Sequence, residues 1–133
     1  MANDITLTQP DLIQRLLDNL PAGYTTAKVK LPNAPFTTPK AAKWLRATVN
    51  FNTGDNVTPD GYQRTYGIFT VDIFYPKGKG DKAQNEDAKL IRAIYNNQEF
   101  NNTKCLASSI LTGDEETAWY KVSVDTEFYM EGV

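Results

Sequence analysis

An α+β fold is predicted, a mainly antiparallel sheet of four to five strands packed by two helices, and three observations predict it. Two segments, near residues 9–20 and 82–96, repeat apolar residues at helical spacing. Four other stretches, 44–51, 63–75, 104–111 and 117–129, read as strands, with clear alternation in 44–51 and 117–129. Those strands fall in pairs joined by polar, glycine-containing turns, the pattern of hairpins rather than of alternating strand and helix. The 133 residues suit one domain. They contain no repeat, no low-complexity tract and no linker long enough to divide two units, so residues 1–133 read as a single domain.

The first helix carries Leu12, Ile13, Leu16, Leu17 and Leu20 on one stripe. Thr8 is placed to cap it, with Asp11 three positions on and Pro10 in the first turn, where a missing N–H costs little. Pro21 and Gly23 end it. Residues 27–31 have the composition of a short strand. Pro32, Pro35 and Pro39 then exclude a central strand or a helix interior, leaving a surface loop or an extended arm anchored by Phe36.

From Trp44 to Phe51, Leu45, Ala47, Val49 and Phe51 share one strand face and Trp44, Arg46, Thr48 and Asn50 the other. The polar run 52–56 and Pro59-Asp60-Gly61 form the tip of a long hairpin. The returning strand places Phe69, Val71, Ile73 and Tyr75 on one face and Tyr66, Ile68, Thr70, Asp72 and Phe74 on the other. Both faces are substantially apolar, which makes this strand central.

After the Pro76-Lys77-Gly78-Lys79-Gly80 break, Asp81 and Gln84 have the spacing of a capping box. Ala83, Asp87, Leu90, Ile91, Ile94 and Tyr95 are expected on the inner side of the second helix. Two strands follow, joined by a turn at 112–116. The last has Tyr120, Val122, Val124, Thr126 and Phe128 on one face and Lys121, Ser123, Asp125 and Glu127 on the other. Leu16, Leu45, Val49, Phe69, Val71, Ile73, Leu90, Ile94, Val122 and Val124 are the expected core.

Composition narrows function. Fourteen Lys and Arg face sixteen Asp and Glu, a net charge of −2, which gives no bulk attraction to nucleic acid. Histidine is absent, and with it the commonest general base and transition-metal ligand. The single Cys105 permits no intrachain disulfide and no multi-thiolate zinc site, and reads as a small buried hydrophobe. No stretch has the length and apolarity of a membrane span or an export signal, and the expected compartment is cytoplasmic.

The candidate chemistry is correspondingly thin. Lys77-Gly78-Lys79-Gly80 precedes a helix N-terminus, but it matches neither nucleotide-loop pattern, and an Asp81 cap would occupy the amides that a phosphate needs. Asp114, Glu115 and Glu116 are consecutive rather than convergent, so they read as a solvated turn and not a metal site. Ser108, Ser109 and Ser123 lie in strands without a nucleophile elbow. No catalytic residue, metal or cofactor is assigned. Trp44, Tyr66 and Trp119 fall on faces opposite the main core, where they form either a protein contact surface or the seat of the second helix.

One stretch carries more. Tyr66-Gly67-Ile68-Phe69-Thr70-Val71-Asp72-Ile73-Phe74-Tyr75-Pro76 with its glycine-rich break and following helix resembles the small tail-terminator, or tail-completion, proteins of long-tailed bacteriophages, the minor tail protein U-like group. Trp119-Tyr120-Lys121-Val122-Ser123-Val124 is similar to their final strand, and the opening helix and loop to their N-terminal part.

The resemblance implies a non-enzymatic structural protein of the virion tail, assembled in the host cytoplasm. It implies a homo-oligomeric ring, typically a hexamer, that caps the head-proximal end of the tail tube, stops its polymerisation and forms the head-tail joining surface. Its partners are then the tail-tube protein and the neck or head-completion proteins, with no membrane and with DNA only as passing cargo. A head-completion or neck connector ring is the alternative, and a small anion- or nucleotide-binding domain a third. A ring of heterologous contacts needs two different patches on each subunit. The segments claimed by no core pattern supply the expected interface: Phe36 in the proline-rich stretch, Asp55, Asn56, Asp60 and Tyr62 at the hairpin tip, and Asp114, Glu115 and Glu116.

Overall fold

The architecture comes from a computed structural model that describes residues 5–51, 55–56, 63–78, 80, 82–100, 103–116 and 118–132. Two helices, α1 (Ile5–Asp18) and α2 (Lys82–Tyr95), lie on one face of a mixed sheet. Its strands are β1 (Val29–Lys30), β2 (Trp44–Phe51), β3 (Asp55–Asn56), β4 (Gln63–Pro76), β5 (Glu99–Phe100), β6 (Thr103–Glu116) and β7 (Trp119–Gly132). Six strands run in the order β1-β2-β4-β7-β6-β5, and β3 pairs with β4. The class is α+β, as expected. The sheet is larger than the expected four to five strands, and it is partly parallel, because β1 pairs parallel with β2 while every other pair is antiparallel. The unexpected strands β3 and β5 have two residues each, too few for alternation to register.

The long central strands follow the alternation. Leu45, Ala47, Phe69, Val71, Ile73, Val122, Val124 and Phe128 are buried beneath the helices, with Tyr75 beside them. Val49 and Ile94, expected in the core, are half-buried at its margin. Cys105 is buried and free, and burial pushes its thiol up to about 12.

Helix α1 starts earlier than expected. Thr8 lies within it rather than capping it, and Pro10 sits inside the helix rather than in its first turn. A proline there forfeits only the bond to the carbonyl four residues back, near an end where such bonds are few. Leu12 and Leu16 hold the helix on the sheet with no exposed surface.

Helix α2 is rotated from its expected setting. Asp87, Ile91 and Tyr95 face inward as expected and are joined there by Gln84 and Ala88, while Ala83 is exposed and Leu90 is 54% exposed. Two of the five inward residues are polar, so hydrophobicity alone turns the predicted stripe toward Leu90. The Gln84 amide donates to the carbonyls of Ile73 on β4 and Tyr120 on β7, both at 2.8 Å. Gln84 thus ties α2 to the sheet, and the expected cap residue Asp81 lies outside the described residues.

Strand β6 runs to Glu116, well beyond the expected Leu111. Its register against β7 shifts between Cys105 and Ser108 and again between Leu111 and Asp114. The second shift absorbs Thr112 and Gly113 as a bulge, so residues that read as a turn stay within the strand.

Candidate assembly surface

Strands of 14 residues give the sheet two well-separated ends, roughly 45 Å apart along β4 at strand rise. Pairing places Trp44 with Phe74, Pro76 with Trp119 and Glu116 with Trp119 at one end. At the other end Asp55 and Asn56 pair with Arg64 and Gln63, and Gln63 pairs with Gly132.

The expected interface residues divide between these ends. Phe36 and the Asp114–Glu116 segment lie at the first, with Asp114, Glu115 and Glu116 in β6 and not in a turn. Asp55 and Asn56 form β3 at the second. Asp60 and Tyr62 lie outside the described residues, as does Lys79 of the glycine-rich junction.

The first end is built on Trp44. Its ring stacks on Phe74 at 4.1 Å with planes 9° apart, meets Trp119 edge-on at 5.9 Å and receives Phe36 at 5.2 Å. The Arg46 guanidinium lies over the Phe74 ring at 5.0 Å. Neither reading of these aromatics holds fully. Among the described residues no helix covers this face, since α1 and α2 both pack on the opposite one. Yet Trp44 is buried, because the proline-rich stretch folds back and lays Phe36 on it. Trp119 and Tyr66 remain half-buried.

The middle of this outer face is polar and internally satisfied. Asp72 accepts from Arg46 Nε at 2.8 Å and Nη2 at 2.7 Å and also from the Ser123 hydroxyl. Thr70 donates to Asp125 at 2.9 Å. Ser123 is therefore committed to a carboxylate, and Ser108 shares a 2.7 Å hydrogen bond with Thr126. At the second end Tyr129 lies under Arg64 and Lys104, at 4.7 Å and 5.8 Å, beside Tyr66.

One cluster escaped the sequence. Asp87 on α2 accepts from the hydroxyls of Tyr24 at 2.7 Å and Tyr75 at 2.6 Å and from Lys43 at 3.1 Å. Lys43 also donates to the carbonyl of Ala22 at 3.0 Å. Burial, then the hydrogen bond to Asp87, raises both phenols well above their ordinary value. These residues come from four separate segments, and no spacing within one element announces them. The cluster pins the start of β2 and the loop after α1 to α2. A groove of about 490 Å³ lies beside β1 and the proline-rich stretch, lined by Val29, Leu31, Pro35 and Phe36 among others.

Comparison with known proteins adds the decisive observation. A family model described as Phage tail terminator protein matches residues 11–128. No curated protein matches the chain. Five chains of solved structures match it, and one of them aligns over 91% of this chain and 94% of its own with a TM-score of 0.66 at 22% identity, a likeness of fold.

Proposed function

Because this chain belongs to the phage tail terminator protein family and is thereby a structural component of the phage tail, we propose that it forms a ring on the head-proximal end of the tail tube. The ring stops tube polymerisation and presents the surface that joins tail to head. The observation that carries this reading is the division of the segments spare to the core between two opposite ends of the sheet. A ring whose strands run along its axis turns the Phe36 and Asp114–Glu116 end to one side and the β3 end to the other. One side then matches the tube, while the other offers it nothing to extend from. The subunit is mechanical in this reading: Arg46, Asp72 and Ser123, and likewise Thr70 and Asp125, are paired with one another on the outer face, and no reaction is asked of them.

Tube growth tests it. Purified tail-tube protein polymerises in the presence and absence of this chain, and electron microscopy measures tube length and the ends. Capped tubes that cease to lengthen are expected. Tubes that lengthen unchanged, with no density at either end, would overturn the reading. Binding to neck proteins without binding to tube would replace the terminator by a connector.

A further inference from the structure

Among the described residues the sheet has two unpaired edges at the same level on opposite sides. Lys30, Arg46, Asp72, Ser123 and Leu111 are successive register partners across β1, β2, β4, β7 and β6. The outer side of β1 has no strand neighbour among the described residues, and β5 pairs with β6 only at Thr103 and Lys104. Among the described residues the stretch from Leu111 to Glu116 therefore has no strand neighbour on its outer side, at the same height as β1. The chain directions also fit. β1 runs with β2, and three antiparallel steps to β4, β7 and β6 leave β6 opposed to β1.

We propose that neighbouring subunits of the ring join edge to edge, the outer side of β6 around Leu111–Glu116 of one copy docking antiparallel on β1 of the next. The occupant of the β1 edge is thus a second copy of this chain, and the contact rests on the ring proposed above. Three properties select that occupant. The edges carry opposite charge: Lys28 and Lys30 on and beside β1, against Asp114, Glu115 and Glu116 on β6. Lys30 is exposed, and neither lysine enters an ion pair among the described residues. Their apolar parts also correspond. The groove beside β1 is lined on the outer face by Phe36, and Leu111 on β6, in the same outer-face row as Lys30, is a large apolar side chain left 53% exposed. Finally, the two patches differ and lie on opposite sides, which is the heterologous arrangement that closes a ring rather than a two-fold dimer. The unpaired N–H and C=O groups of both edges find partners in the same step.

Charge reversal tests the contact with the full chain alone, read by sedimentation across protein concentration. K28E/K30E and D114K/E116K should each raise the apparent dissociation constant of the oligomer by at least about tenfold. An equimolar mixture of the two variants forms reversed pairs and should recover mixed oligomers. Circular dichroism checks that each variant folds. Should one fail to fold, K30C mixed with L111C, D114C or E116C under mild oxidation decides. Disulfide dimers from a mixture, with a ladder of larger species when both cysteines sit on one chain, support the contact. A wild-type ring that both reversals leave intact, or that no cysteine pair crosslinks, overturns this contact and leaves the ring standing. A wild-type chain that stays monomeric at every concentration, alone and on tail tubes, overturns the ring and the contact together.

Discussion

Phe36 rests on Trp44 with ring centroids 5.2 Å apart and planes inclined by 35°, so the proline-rich stretch is anchored to its own subunit. An arm extended onto a neighbour would need that ring pair to part. Phe36→Ala should remove the anchor and cost about 1–2 kcal/mol, less than the ~3–5 of a fully buried phenylalanine because Phe36 is only half-buried. Tryptophan fluorescence should shift to the red as Trp44 meets water. An unshifted spectrum with unchanged stability would mean that Phe36 does not cover Trp44 in solution.

The rotation of α2 is checked by two neighbouring alanines. Ile91 has no exposed surface and Leu90 is 54% exposed. Ile91→Ala should cost roughly 2–5 kcal/mol. Leu90→Ala should stay within about 0.5 kcal/mol. Chemical denaturation of both variants measures the contrast, and equal losses would restore the orientation that hydropathy alone suggests.

These residues also mark the boundary of what was legible in the sequence. Strand β2 was readable residue for residue, because alternation over eight positions has one interpretation. Strand β4 was readable for the same reason. The inward position of Asp87, Ile91 and Tyr95 was legible, but the face of α2 was set too far toward Leu90 because Gln84 is inward for hydrogen bonds to β4 and β7, a reason that exists only after folding. The extent of β6 was misread because a bulge hides turn-forming residues within a strand. Of the expected interface, Phe36 was rightly placed outside the regular elements, but its partner Trp44 lies across a fold that the local pattern does not describe.

The Asp87 cluster should behave as a buried polar unit. Asp87→Ala leaves the hydroxyls of Tyr24 and Tyr75 without their acceptor and Lys43 without its counter-ion. The expected loss is about 3 kcal/mol, dominated by the stranded buried groups rather than by the ion pair. Lys43 is partly exposed, so Lys43→Met should cost clearly less. A double-mutant cycle with Tyr75→Phe should show coupling, and strictly additive losses would dissolve the cluster into independent contacts.

Alkaline pH should unfold the protein earlier than its neutral stability suggests. Tyr24, Tyr75 and Tyr95 have phenols raised above the ordinary 10.0, chiefly by burial, and Cys105 is raised from 9.0 to about 12. Below these ordinary values both folded and unfolded chains hold the protons, and stability is unaffected. Above them the unfolded chain releases protons that the folded chain keeps. Stability therefore falls from about pH 9 and more steeply above 10, by up to about 1.4 kcal/mol per pH unit for each group. Tyr95 donates to the carbonyl of Leu12 at 2.6 Å. Tyr95→Phe loses that bond but should show a shallower decline between pH 10 and 11.5. Parallel slopes for the two proteins would exclude Tyr95 from the linkage.

Gly67 should tolerate no side chain. A β-carbon there would stand 2.6 Å from the carbonyl oxygen of Asn50 and 2.5 Å from Cζ of Phe128. Phe128 is fully buried and packs edge-on against Phe51 at 5.7 Å, so neither obstacle yields without disturbing the core. Gly67→Ala should cost about 2–3 kcal/mol by overpacking. A melting temperature equal to wild type would show that β2 and β4 separate more easily than this pairing implies.

The hairpin tip separates folding from assembly most cleanly. Asp55 and Asn56 pair only with Arg64 and Gln63, whereas those two β4 residues are also paired with Glu131 and Gly132 of β7. Replacing residues 53–60 by a tight turn therefore removes β3 but leaves β4 held on its other side. No residue of that segment belongs to the core cluster among the described residues, so the melting temperature should move by only a few degrees, roughly the effect of 1 kcal/mol in a chain of this size. If the β3 end of the ring meets the tail tube, the shortened protein should fold and form rings yet fail to cap. Tails assembled with it should then vary in length and join heads poorly, as measured by electron microscopy of assembled particles. Tails of normal length that accept heads would remove Asp55, Asn56 and Asp60 from the assembly surface. The whole task of meeting the tube would then fall to the opposite end of the sheet, where Phe36 and Asp114–Glu116 lie.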